Sequence, residues 1–384
     1  MSDVSDTAER SPETLGAAPS GRHGPSILSR AGAILLNQRE ATITLIAVIL
    51  FIYFAATTPS FFSHGSFVNI GQYMAPYVII GIGLVLVMVC GEIDLSVGFV
   101  WTLSPFVMHF FVDSGLPTVL AIVVTVLVLS LIGLINGVVT TIFGVPSLIT
   151  TLATGYIVFG YTLTISSAQQ INLPAQSVGI GHWFGGEAWS EIIWATVLVL
   201  LFQVLLRRTR WGLYTVSVGG NMLGAREAGI KVNRIKIGNF MMCSSLGALA
   251  GILEAFKNDI ADPSAGQLAV VLTGIAAAVI GGTAMLGGVG TMIGMWFGAL
   301  VLGELQDGFN LRGISSYKYL IIEGAAIIVF MIANTYLTKL RGSGRLVGTS
   351  SSRRTPPPPP PTTDWDPARQ VTDDAGGLDP SRGE

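Results

Sequence analysis

Between Arg39 and Arg207 the chain contains neither lysine nor arginine. A water-soluble domain carries roughly 25% charged residues, and a stretch this long would have to solvate itself with a few acids alone. Helices embedded in hydrocarbon require such a gap. A charged side chain at the bilayer centre costs about 2.5–3.5 kcal/mol on insertion scales, and each span needs about 20 mostly apolar residues. Of the 384 residues, 11% are charged and 51% hydrophobic. The chain is therefore predicted to be an all-α polytopic membrane protein. Its formal net charge of −2 decides little, because topology follows from where the charges sit.

Apolar segments fall at 41–58, 69–90, 97–112, 117–139, 146–165, 190–206, 237–256, 268–283, 289–303 and 319–338. They predict about ten transmembrane helices in a membrane domain covering 41–340. The eighth and ninth are short and rich in glycine. The 47 glycines suit helices that approach closely on small residues, and some helices are expected to be broken by glycine. Residues 1–40 are polar and rich in Ser, Gly and Ala, with Arg22, Arg30 and Arg39 ahead of the first apolar segment. They read as a disordered cytosolic arm rather than a signal peptide, whose charges would cluster near its start. Residues 341–384, with the hexaproline 356–361, read as a disordered, Pro-rich cytosolic tail.

Basic residues orient the bundle. Arg207, Arg208, Arg210, Arg226, Lys231, Arg234 and Lys236 crowd one loop, opposed only by Glu227. Lys339, Arg341, Arg345, Arg353 and Arg354 follow the last segment. The positive-inside rule puts both regions and the N-terminal arm in the cytosol. Six spans before the basic loop and four after it satisfy all three placements. The connector 166–189 then faces outward and has no basic residue.

Little in the chain supports catalysis. His23, His64, His109 and His182 are isolated, and neither HExxH nor GxSxG occurs. There is no GxxxxGK[ST] loop to cradle the phosphates of ATP. Cys90 and Cys243 both lie in apolar stretches, too few for a disulfide framework or a metal cluster. No catalytic residue, cofactor or metal is expected.

Two stretches do carry information. EIDLSVG, residues 92–98, places Glu92 and Asp94 directly after an apolar run, with no Lys or Arg nearby in sequence. Gly91 and Gly98 interrupt the spans, and Asp94 or Ser96 can accept hydrogen bonds from N–H groups freed at the next helix start. The motif reads as a helix cap, as a gate, or as a contact to solute. It joins an inward-going span to an outward-going one, so it is expected near the cytoplasmic side, which favours capping. Glu92, with its longer side chain, is expected to reach the interface. The second stretch is the loop 207–236. Gly219 and Gly220 are expected to break the chain, Asn221 to cap a short helix through Ala225, Arg226 and Glu227, and Gly229 to end it. That helix reads either as a docking element or as an incidental turn in a linker. Polar side chains at pathway depth are few: Gln72, Tyr73, Asn136, Tyr156 and Asn310.

GGNMLGAREAGIKVNRIK and EIDLSVG, with DPSAG (262–266), IAAAVIGGTAMLGGVG (275–290) and GFNLRGISSYKYLIIEGAAII (308–328), occur in this order. Together they resemble the permease subunits of bacterial ATP-driven sugar importers, the ribose/xylose/galactose group. The resemblance covers roughly 41–340 and implies a type II ABC importer permease fold. It implies a dimer of this chain or of close paralogues around the pathway, a cytosolic ATP-binding subunit below, and an extracytoplasmic sugar-binding protein above. Membrane lipid and a small-molecule substrate complete the partners, and no nucleic acid is involved. The segment from Asn221 would be the helix that receives the ATPase stroke, with Gly219, Gly220, Asn221, Ala225, Arg226, Glu227 and Gly229 coupling to it. The resemblance implies a location in the bacterial inner membrane. This sequence departs from the family pattern at Leu272, Thr273 and Gly274, where an acidic pair is common. It departs again at Glu323, where a basic residue is common, and at Lys257, the nearest equivalent of a usual Arg. These departures leave the solute open between a monosaccharide and another small polar molecule such as a nucleoside. A stand-alone carrier or channel is the reading from another class.

Overall fold

The structure is a computed structural model, which describes residues 39–173 and 181–342. Arg22, Arg30, His23, Arg345, Arg353, Arg354, Ser177, the expected arm up to residue 38 and the tail beyond 342 lie outside the described residues, as does the side chain of His182.

Each of the ten apolar segments is a helix. They are α1 (Arg39–Thr57), α2 (His64–Val89), α3 (Val97–Asp113), α4 (Thr118–Thr141), α5 (Ser147–Ser166) and α6 (Ser190–Arg208), then α9 (Val232–Asn258), α10 (Gln267–Ile280), α11 (Met292–Leu311) and α12 (Ser316–Gly342). Six of them, α1, α2, α4, α5, α6 and α9, are long and apolar enough to cross a membrane, whereas α3 and α10 are shorter apolar helices. Between α6 and α9 lie two short helices, α7 (Arg210–Gly220) and α8 (Met222–Glu227). The two-residue strands β1 (Ile171–Asn172) and β2 (Ile260–Ala261) pair antiparallel, tying the connector after α5 to the end of α9.

Two helix borders differ from those the apolar segments predict. The ninth segment was expected to stop at 303, but α11 continues to Leu311 through Glu304 and Asp307. Both acids are buried, and Asp307 takes a hydrogen bond from Ser66 of α2. Likewise α9 begins at Val232 rather than 237, which puts Arg234 and Lys236 on its first turns.

The centre of the bundle is α2, whose residues from Met74 to Val89 are all buried except Tyr77. A helix apolar on every side can be enclosed by other helices or by lipid, and here α2 is enclosed by protein. By contrast α1, α4 and α6 turn bulky groups outward, among them Ile49, Ile52, Leu127, Leu131, Leu200 and Leu201. Such a surface suits hydrocarbon. In lipid nothing drives apolar helices together except packing, so close approach depends on small residues. The contact of α4 with α9 illustrates this. A Cβ on Gly133 would stand 2.3 Å from the Phe240 carbonyl oxygen, and one on Gly137 would stand 2.7 Å from Ile237 Cα. These two glycines, four residues apart, let the backbones touch.

Candidate functional site

Gly91 takes a φ of +83° and turns the chain back after α2. Residues 92–94, which follow, have no regular secondary structure, and Asp94 is fully buried. Glu92 forms an ion pair with Lys236 on α9, while Asp94 has the thiol of Cys243 as its neighbour. Cys243 lies seven residues beyond Lys236, about 10 Å deeper along α9 at 1.5 Å per residue. Asp94 therefore lies buried about 10 Å further along α9 than the Glu92–Lys236 pair, still in the half of α9 that starts beside the basic loop.

Backbone at this depth must find partners within the protein. The first turns of α5 supply two. Ser147 Oγ accepts from Ile93 N–H at 3.3 Å, and Thr151 Oγ1 accepts from Leu95 N–H at 3.0 Å. Asp94, fully buried, supplies a third acceptor. Its Oδ1 accepts from Ser96 N–H at 2.9 Å and from Ser96 Oγ at 2.6 Å. Asn136 of α4 donates to Ser96 Oγ at 2.7 Å. Ser96 precedes α3 but makes no side-chain cap bond to it, so of the two expected capping residues Asp94 carries the acceptor role. Gly98 then lets α3 meet the start of α10, where a Cβ would stand 2.0 Å from the Gln267 carbonyl oxygen.

Sequence reasoning left Glu92 unpaired and free to reach the interface. The fold instead gives it Lys236, 144 residues away, and both side chains are largely buried at 14% and 12% exposure. Lys236 had counted only as one positive charge among seven. Breaking one side of a buried pair costs about 3–5 kcal/mol, because the other charge is left uncompensated. Glu92→Leu and Lys236→Leu are therefore each expected to lower membrane abundance about tenfold or more. The double substitution is expected to recover most of it, and quantitative immunoblotting of membranes for all three variants checks this.

At the same end the short helices assemble. Gly219 and Gly220 do not break the chain; they are the last residues of α7. Gly219 packs against backbone: a Cβ there would meet the Val89 carbonyl oxygen at 1.8 Å and Gly288 N at 2.7 Å. Gly288 N–H itself donates to Val89 O at 2.8 Å, and Gly287 lies against Gly91. Glycines from three distant motifs thus meet at one junction. Asn221 begins α8 as expected, its side chain accepting from Gly224 N–H at 2.9 Å. Gly229, with φ of +80°, ends it, and Ile230 N–H reaches back to Ala225 O at 3.0 Å. Ala225 is buried, whereas Arg226 and Glu227 are exposed beside it. An open concavity of about 460 Å³ lined by Arg226, Lys231, Val232, Asn233 and Arg234 lies alongside.

Three of the five pathway candidates lie at the opposite end. Asn310 Nδ2 is 3.3 Å from Tyr73 Oη, and the backbone oxygen of Gln72 is 3.5 Å from Lys257 Nζ. Lys257 also meets Glu191 at 3.2 Å and Glu254 at 2.6 Å. The other two lie elsewhere. Asn136 is committed to Ser96, and Tyr156 is 63% exposed on α5, next to Phe99. The roles of Lys236, Ser147 and Thr151 had no local signal, because each partner comes from a distant segment; of the two partners of Lys257, Glu254 is three residues away and only Glu191 is distant.

The family described as branched-chain amino acid transport system / permease component matches residues 66–331. The xylose/arabinose import permease protein of Sulfolobus acidocaldarius is 34% identical over 328 residues, covering 83% of this chain and 90% of that protein. The ribose import permease protein of Escherichia coli is 32% identical over 308 residues, covering 79% and 94%. That of Bacillus subtilis is 34% identical over 289 residues, covering 74% and 89%. No solved structure matches the chain. With the motifs in order and six helices fit to cross a bilayer, the chain is a multi-pass membrane protein belonging to the branched-chain amino acid transport system / permease component family.

Proposed function

We propose that this chain is the membrane subunit of an ATP-driven importer and forms the passage for a monosaccharide delivered by an extracytoplasmic binding protein. Two copies, or one copy and a close paralogue, enclose the passage, and ATP is hydrolysed on a separate cytosolic subunit. In this reading the helices of all ten apolar segments, the shorter α3 and α10 included, cross the membrane of a bacterial cell, with the permease domain at 41–340. The polar ends, 1–40 and 341–384, both lie in the cytosol.

The observation that carries the reading is the glycine junction. α8, a capped helix with charged residues facing out, follows directly on Gly219, which is pressed onto the end of α2 and the turn at Gly288. A push on α8 is thereby passed to Gly91, Glu92 and the EIDLSVG segment by backbone contact, with little slack. A channel or a stand-alone carrier has no use for that linkage. Coupling accordingly falls to Gly219, Gly220, Asn221, Ala225, Arg226, Glu227 and Gly229. The helix break that moves falls to Gly91, Glu92, Asp94, Ser96 and Gly98.

The test is uptake of labelled ribose, xylose and arabinose by proteoliposomes holding the chain with the ATP-binding subunit and the binding protein encoded beside it. Uptake that requires ATP and all three components supports the proposal, and uptake without ATP overturns it. A labelled nucleoside entering in place of the sugars would move the solute class but leave the machine intact. Topology has its own check. Single cysteines introduced by Ala228→Cys beside α8 and by Ser264→Cys at the opposite end both fall on exposed positions. In a cysteine-free background an impermeant thiol reagent applied to whole cells is expected to label the Ser264→Cys variant and spare the Ala228→Cys variant. The reverse pattern would invert the orientation and remove α8 from the ATPase.

A further inference from the structure

Polar side chains from four helices converge in the half of the bundle away from the basic loop. Thr273 of α10 donates to Glu323 Oε1 of α12 at 3.0 Å. Tyr77 of α2 is close enough to Glu323 and to Glu254 of α9 to feel both carboxylates, and Tyr319 of α12 is likewise close to Glu323 and Tyr77. From their helix ends, Glu254, Thr273 and Glu323 lie roughly 6–10 Å inward at 1.5 Å per residue. Glu323 is 9% exposed, and Tyr77, Thr273, Glu254 and Tyr319 are half-buried. Glu323 is buried, whereas the other four are neither sealed in the core nor fully turned outward.

An acid this deep is costly, and intramembrane acids that persist mark solute or ion routes. One threonine hydroxyl does not balance the charge of Glu323. No ion pair among the described residues involves Glu323, and Lys257, which pairs with Glu254 of this group, is also engaged by Glu191. The Tyr319 hydroxyl donates to Leu302 O at 3.3 Å, and Glu254 accepts from Lys257 at 2.6 Å and from Asn258 at 2.8 Å, so the acceptor capacity left over belongs chiefly to Glu323, beside the phenols of Tyr77 and Tyr319. Vicinal hydroxyls donate to carboxylates, and the C–H face of a sugar ring lies on aromatic carbon. Surplus negative charge repels an anionic solute such as a sugar phosphate.

We infer that Tyr77, Glu254, Thr273, Tyr319 and Glu323 form a contact station for a neutral polyhydroxylated solute within the passage, with Glu323 determining specificity. The inference rests on the importer reading above and adds the residues that touch the solute.

The experiment uses the full importer in proteoliposomes with labelled ribose, xylose and arabinose as probes. Tyr77→Phe and Thr273→Val each remove one hydroxyl at nearly constant volume, and Glu323→Gln exchanges one acceptor oxygen and the charge for an amide donor. Tyr161→Phe, on the exposed side of α5, is the control. Uptake is expected to fall about tenfold for Glu323→Gln, since a site built around a hydrogen bond discriminates strongly when it is lost. ATP hydrolysis stimulated by the binding protein is expected to stay within about twofold. A Thr273→Cys variant, with Cys90 and Cys243 replaced by alanine, is expected to react with a small methanethiosulfonate and to be shielded by the transported sugar. Variants that transport like the parent, or a reactive cysteine that sugar never shields, overturn the station and leave the importer standing. Where a variant is scarce in the membrane, the shielding result decides. A parent protein that takes up none of the probes overturns the importer reading itself, and the station with it.

Discussion

Asp94→Leu is expected to reduce the protein in the membrane to about a tenth or less, whereas Asp94→Asn is expected to keep at least about half. The difference lies in the acceptor, not in the charge. Asp94 is fully buried, and its Oδ1 takes bonds from Ser96 N–H and Ser96 Oγ at 2.9 and 2.6 Å. Asn retains a carbonyl oxygen for both. Leu retains neither, and each buried group left unpaired costs about 1–3 kcal/mol, against a total stability of about 5–15 kcal/mol for an ordinary domain. Asn136 also loses its ordered partner, because Ser96 Oγ is held in place by Asp94. No ion pair among the described residues involves Asp94, so no cation is stranded by either change. The measurement is membrane abundance together with elution of the solubilised protein as a single species. Normal abundance and normal ATPase stimulation of Asp94→Leu, with uptake lost, would make the carboxylate a solute ligand and end the capping account.

Gly219→Ala is expected to abolish coupling while Gly220→Ala does not, although the two residues are adjacent. A methyl group on Gly219 would lie 1.8 Å from the Val89 oxygen and 2.7 Å from Gly288 N, both backbone atoms. Neither can swing aside as a side chain would, so α7 must lift off α2 and the glycine turn. A methyl group on Gly220 would meet only Gly288 Cα, at 3.9 Å, an ordinary contact. Stimulation of the partner ATPase and uptake are expected to drop about tenfold or more for Gly219→Ala. Gly220→Ala is expected to remain within about twofold of the parent, as open-surface changes usually do. Both variants are expected to reach the membrane, because the junction lies at the end of the bundle rather than in its core. Equal behaviour of the two would mean that the junction does not transmit the stroke.

Much of this protein is legible in its sequence. The gap between Arg39 and Arg207 dictated membrane helices, since hydrocarbon excludes charge wherever it runs. Hydrophobicity is summed along the chain and needs no knowledge of neighbours, so all ten helices lie where apolar runs lie. The cap at Asn221 and the stop at Gly229 were legible for a similar reason: a capping bond closes within three residues.

Tertiary structure decided what depends on distant segments. It paired Glu92 with Lys236 and carried α11 through Glu304 and Asp307. It set Asp94 beside Cys243, seven residues along α9 from the partner of Glu92. It also turned Gly219 from an expected chain break into a backbone contact with Val89 and Gly288. The physical reason is the same in each case. A charge, a freed N–H or a missing Cβ states a requirement in the sequence, and only the packing of remote helices determines which residue meets it.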